Sequence, residues 1–263
     1  MKLPAFLLGA GLAFAAGAQE IVTLQTRPGV TQSFFIAGMS AGKVQAVALL
    51  MVGGGGAINL RTRADGQIAF QPGNFLPRSR REFIRNGILP VILDTPSDQK
   101  SAMSDEFRAS SAHATDVRAV AAEMKKRYPR RPVFLVTTSR STLSAVYLAL
   151  ALDQELAGVV LTSSLFYSDG KSMAPRLASF DWSKIRIPVL VVHHWDDGCP
   201  PTPYREAARL GKRYPLVTVR GGKAPQGPAC EPFSQHGFLG KEPETVDAIA
   251  AWMLGKPFSK DIR

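Results

Sequence analysis

The sequence predicts an α/β fold: a mostly parallel sheet covered by helices on both faces. Three observations lead there. Short apolar runs of strand length alternate with stretches of helical periodicity along nearly the whole chain. Several runs, such as residues 45–52 (QAVALLMV) and 133–136 (VFLV), are apolar at consecutive positions, like strands buried on both faces. No internal repeat, low-complexity tract or linker interrupts the alternation, so 263 residues read as one domain with a full core.

In order, residues 21–24 and 33–36 are short strand candidates. The strand at 45–52 runs into Gly53-Gly54-Gly55-Gly56. A hairpin is expected over 59–63 and 67–70, turning at Asp65-Gly66. Residues 78–86 read as a helix ended by Gly87, and 90–93 as a strand. Over 116–128, Val117, Val120, Ala121, Met124 and Tyr128 share one helical face, and Pro129 stops the helix. The strand at 133–136 halts at small polar residues around Ser139, and 142–152, free of charge, reads as a buried helix. Strands at 159–161 and 187–192, a helix at 204–214, a strand at 216–219 and a final helix at 244–254 complete the pattern.

The first 18 residues stand apart: a basic start at Lys2, an apolar run, then Ala16-Gly17-Ala18 before Gln19. This is the form of a secretory signal peptide, leaving residues 19–263 as the mature, exported domain, periplasmic or secreted. The apolar run is shorter than the roughly 20 residues a membrane span needs, and no later segment is long enough, so no stable membrane insertion is expected. Cleavage lowers the net charge from +11 to +10. The basic residues are scattered. Their densest cluster, Lys125, Lys126, Arg127, Arg130 and Arg131, closes a predicted helix, where it complements the helix dipole. No zinc-finger, helix-turn-helix or aromatic-basic signature points to nucleic acid. Two cysteines in an exported chain suggest one disulfide.

The chemistry concentrates around Ser139. A strand, a sharp turn with a serine at its tip and a buried helix are the parts of a nucleophile elbow. An ordinary turn serine is the competing reading, and Ser141 and Ser144 are nearby alternatives. A serine hydroxyl needs a base beside it, and the base needs an acid to hold its tautomer. Asp196 and Asp197 follow a strand, and His236 sits in a loop before the last helix. The other histidines, His113, His193 and His194, lie before a helix or at a strand end. A metal site at His193-His194-Trp195-Asp196-Asp197 is disfavoured, because adjacent strand residues point to opposite faces.

With serine, acid and histidine in that chain order, the sequence resembles the α/β-hydrolase superfamily over nearly all of the mature chain. The family pattern G-x-S-x-G corresponds to Thr137-Thr138-Ser139-Arg140-Ser141, with both glycines replaced by small residues. The resemblance implies a single domain with a minimal lid at 166–186 and a fairly open pocket. It implies Ser139 as nucleophile, His236 as base and Asp197 as acid, with Asp196 the runner-up. It also implies an oxyanion hole from the amide of Arg140 and a glycine of the 53–56 run, Gly55 first and Gly54 next. The implied activity is hydrolysis of a carboxylic ester or related acyl bond through an acyl-serine, without a cofactor or metal, on a small-molecule or polymeric acyl substrate. A non-catalytic binding protein on the same scaffold, holding an anionic partner, is the alternative. The Arg140 side chain has two readings, attraction of an acidic substrate or a structural salt bridge. In this fold the acid and histidine loops must meet, which brings Cys199 and Cys230 into range of a disulfide.

Overall fold

The computed structural model describes residues 17–167 and 177–263. Residues 1–16 of the expected signal peptide and 168–176 of the expected lid lie outside them. The sheet strands are β1 (Glu20–Arg27), β2 (Val30–Ile36), β3 (Ala46–Met51), β6 (Ile88–Leu93), β7 (Val133–Thr138), β8 (Gly158–Thr162), β9 (Val189–His194), β10 (Leu216–Val219) and β11 (Asp261–Ile262). A separate two-stranded ribbon consists of β4 (Arg61–Thr62) and β5 (Ile68–Ala69). The helices are α1 (Phe75–Arg78), α2 (Arg80–Arg85), α3 (Asp105–Arg108), α4 (Ser111–Arg127), α5 (Ser141–Ala151), α6 (Tyr204–Leu210) and α7 (Glu242–Met253).

The nine-stranded sheet runs β1-β2-β6-β3-β7-β8-β9-β10-β11. The β1–β2 hairpin is antiparallel and β2 meets β6 antiparallel; every later pair is parallel. Strand side chains alternate between two cores. On one side Val47, Leu49, Leu135, Leu161 and Val191 pack under α4, α5 and α6. On the other, Ala48, Leu50, Val136, Val160 and Leu190 pack under α1, α2 and α7. This two-sided burial is why the central strands are apolar at every position.

Several boundaries differ from the sequence expectation. The hairpin at 59–70 shrinks to β4 and β5, with its turn held by Asp65 Oδ1 accepting from the Gln67 amide at 2.9 Å. The helix expected at 78–86 is two short helices broken at Ser79. Helix α4 begins at Ser111, earlier than expected, because Ser110 caps it and accepts from the His113 amide at 3.2 Å. His113 is thus inside the helix, not before it. Helix α6 stops at Gly211. Strand β11 and helix α3, of two and four residues, are too short to leave a periodic signal.

Candidate active site

Loops leaving the carboxyl ends of β3, β7, β8 and β9 converge on one rim of the sheet, where open α/β folds build their sites. Ser139 occupies the turn between β7 and α5 with φ of +54°, the left-handed region that L residues rarely adopt. The Ser139 amide donates to Thr162 on β8 at 3.0 Å, and its carbonyl accepts from the Thr142 amide at 3.0 Å and the Thr142 hydroxyl at 2.6 Å. The backbone is therefore fixed on both sides of the serine.

The residues standing in for the two motif glycines are buried and bonded. Thr137 Oγ1 donates to the Val160 carbonyl at 3.1 Å. Ser141 Oγ lies 2.7 Å from the Met51 carbonyl on β3 and 2.8 Å from the Thr138 carbonyl, and accepts from the Thr138 amide at 3.0 Å. Ser144 is buried and accepts from Arg108. Of the three serines considered for the elbow tip, only Ser139 lines the pocket.

Ser139 and His236 line the same pocket, about 310 Å³ in volume. His236 Nδ1 lies 3.0 Å from Asp197 Oδ2. That contact places the imidazole proton on Nδ1 and leaves Nε2 as the acceptor. Asp197 has a fully buried side chain, whereas Asp196 is exposed. Burial alone would raise the Asp197 pKa, but hydrogen bonds from His193 and His236 outweigh it and hold the carboxyl below the usual range. Thr202 Oγ1 at 3.0 Å and the Cys199 amide at 3.0 Å add further donors to the same carboxylate.

The two strand-end histidines diverge. His193 Nε2 bonds to the Thr202 carbonyl at 2.8 Å, whereas His194 Nε2 bonds to the Gly221 carbonyl at 3.0 Å. Cys199 and Cys230 are disulfide-bonded, with Cα atoms 4.6 Å apart, and Cys230 lines the pocket.

Several supporting residues carry no motif. Ser163 Oγ donates to the His236 carbonyl at 2.7 Å, and Arg78 Nη2 to the Gly237 carbonyl at 2.7 Å. Ser234 Oγ accepts from the His236 amide at 3.1 Å, capping the short turn that carries the histidine.

The glycine run forms a turn closed by the Gly56 amide on the Gly53 carbonyl at 3.1 Å. A Cβ on Gly53 would sit 2.8 Å from Ser139 Cβ, so only glycine fits against the elbow. Gly53 and Gly54 line the pocket; Gly55 does not, and a Cβ there would meet Ala102 at 2.9 Å. Arg140 occupies the N-cap of α5. Its guanidinium forks onto buried Asp105, with Nε at 2.7 Å and Nη2 at 2.9 Å. That contact is the structural salt bridge of the two readings given for this side chain. Among the described residues lining the pocket, Glu231 is the carboxylate and there is no lysine or arginine.

The chain matches no protein-family model and no curated protein by sequence. Solved structures do resemble it. Est1E from Butyrivibrio proteoclasticus aligns with a TM-score of 0.60 at 14% identity, covering 89% of this chain and 98% of that one. XC6422 from Xanthomonas campestris, an α/β serine hydrolase without a lid, aligns with a TM-score of 0.56 at 16% identity over 91% and 97%. An α/β serine hydrolase homologue from Coxiella burnetii gives 0.55 at 13% identity over 95% and 99%. The protein has the α/β-hydrolase fold along nearly its whole length.

Proposed function

We propose that the protein is an exported serine hydrolase that cleaves a carboxylic ester or a related acyl bond. One observation carries the reading: a serine held at positive φ shares a pocket with a histidine whose far nitrogen is bonded to a buried carboxylate. Fold likeness to α/β serine hydrolases supports it.

In this reading Ser139 Oγ attacks the acyl carbon while His236 Nε2 takes its proton. Asp197 keeps the proton on His236 Nδ1 and stabilises the imidazolium. The amides of Gly54 and Arg140 receive the developing oxyanion. Gly54 suits this task, because it lines the pocket and its amide has no partner among the described residues. Collapse of the tetrahedral intermediate expels the alcohol, which takes the proton from His236, and leaves an acyl-Ser139. Water, deprotonated by His236, then adds to the acyl carbon; the second intermediate collapses to the acid and free serine.

The test is labelling of the purified mature protein with a fluorophosphonate, followed by turnover of p-nitrophenyl esters of graded chain length. The expected result is a single labelled residue, Ser139, and labelling lost in Ser139→Ala. Labelling elsewhere, or equal labelling of the variant, would overturn the assignment.

A further inference from the structure

We infer that helix α3 is a bracket for the oxyanion hole, with Arg108 and Asp105 as positioning residues for the hydrolysis proposed above, on which this inference rests. Arg108 is 0% exposed. Its Nη2 donates to the Gly54 carbonyl at 2.8 Å and its Nη1 to Ser144 Oγ at 3.3 Å, while Nε has no partner among the described residues. Burial lowers its pKa to about 10, against the opposing pull of Asp105, so it stays charged at neutral pH.

A buried guanidinium short of hydrogen bonds is a costly group to keep. Apolar side chains of similar volume often stabilise such a position better. The placement of Arg108 suggests what offsets that cost. Four consecutive glycines have the widest backbone freedom available, and nothing in their own side chains aims a peptide group. Gly54 and Gly56, at φ of +59° and +89°, hold conformations glycine alone adopts readily. The Arg108 contact fixes the Gly54 carbonyl, and the Met103 amide fixes the Gly55 carbonyl at 2.9 Å. Each carbonyl shares a planar peptide with the amide that follows it, so these bonds orient the Gly55 and Gly56 amides directly; the Gly54 amide lies in the Gly53 peptide, whose carbonyl accepts from the Gly56 amide at 3.1 Å, and is held through that turn.

The second half of the bracket acts on the other donor. Asp105 grips the Arg140 guanidinium in two parallel bonds of 2.7 and 2.9 Å, and Arg140 supplies the amide that follows the nucleophile. Asp105 and Arg108 are three residues apart on one helical turn and share a face. Ser104 caps that turn, accepting from the Phe107 amide at 3.1 Å. One rigid turn therefore sets the separation between the glycine loop and the start of α5, the two segments that must receive one oxygen atom together.

The test uses the whole mature protein and four forms: wild type, Arg108→Gln, Arg108→Lys and the less buried Arg140→Gln. For each, kcat and KM are measured on a short p-nitrophenyl ester. Inhibition is measured with a trifluoromethyl ketone, whose reversible hemiketal with Ser139 places an oxyanion in the hole. Thermal unfolding reports the fold. Arg108→Gln should lower kcat roughly 10- to 100-fold with KM within about threefold, and weaken the ketone by a matching factor. Arg108→Lys should recover part of both, and Arg140→Gln should lower both more mildly while remaining folded. Folded Arg108→Gln with kcat and ketone affinity within about threefold of wild type overturns the bracket. Should Arg108→Gln fail to fold, Arg140→Gln decides, and an unchanged kcat and ketone affinity overturns it. A wild type that neither turns over esters nor labels with fluorophosphonate overturns the hydrolase reading itself, and the bracket with it.

Discussion

The backbone amide of Cys199 donates to Oδ1 of Asp197 at 3.0 Å, so the proposed acid is anchored by a residue whose sulfur is bonded to Cys230. The opposite carboxylate oxygen, Oδ2, meets His236. The disulfide thus joins the loop holding the acid to the loop that leads to the base.

That linkage predicts a functional effect of reduction ahead of unfolding. Closing a loop of sequence separation 31 is worth roughly 3–4 kcal/mol in the chain-entropy model. A misplacement of about 1 Å at the acid can cost on the order of a hundredfold in rate. Cys230→Ser should therefore lower kcat at least about tenfold at a temperature where circular dichroism still reports a folded domain. Loss of Tm with an unchanged kcat at 25 °C would show the bridge to be structural only.

Two serines in the elbow should separate cleanly. Ser139→Ala removes a hydroxyl that packs against little, and should cut turnover by several orders of magnitude with little change in Tm. Ser141→Ala instead strips the bonds to Met51 and Thr138 inside the sheet and should cost about 1–3 kcal/mol of stability. Chemical denaturation alongside ester turnover checks both; near-native activity in Ser139→Ala would refute the nucleophile.

The main elements of the fold were legible because burial on both faces writes itself into consecutive apolar residues, as in Ala46–Met51. Serine, acid and histidine were legible as candidates because each sits just past a strand or in a loop before a helix. The supports were not. Ser163 reaches a carbonyl 73 residues away and Arg78 one 159 residues away, and a side chain bonding to distant backbone leaves no local pattern. Helix α3, of four residues, is too short for a periodic pattern, and Ser104 at its cap followed by acidic Asp105 and Glu106 is the signal that marks its start.

Acid should weaken the fold through His113. This histidine is buried with neither ring nitrogen bonded among the described residues, and burial, with Arg108 and Arg27 nearby, lowers its pKa to about 3. Its unfolded value is about 6.5, so the unfolded chain takes up a proton that the native state refuses. Protonation therefore favours unfolding, and stability falls as pH drops from about 6.5 towards 3, by at most about 1.4 kcal/mol per pH unit. His113→Leu should remove this slope. The gap in Tm between variant and wild type should widen from pH 7 to pH 4; a constant gap would argue against it.

The Arg140 guanidinium, engaged with Asp105, does not line the pocket, and the described lining offers no other arginine or lysine. Selectivity between a hemisuccinate ester and a neutral ester of matched length should accordingly be the same in wild type and Arg140→Gln, even as the rate on both falls. The ratio of kcat/KM values at low and high salt measures this. A ratio that drops severalfold in the variant at low salt alone would restore a steering role.

Thr137 and Ser141 stand where glycine is the rule, and each turns its hydroxyl back onto a neighbouring strand. What the elbow demands at those two places is therefore not the smallest residue but one whose bulk the sheet can absorb. A methyl or hydroxyl that finds a carbonyl to its side occupies no space above the rim. Chains that meet the demand this way escape recognition by spelling alone. They become visible when the turn is read as a stitch between three strands, which any small hydroxyl-bearing residue can sew.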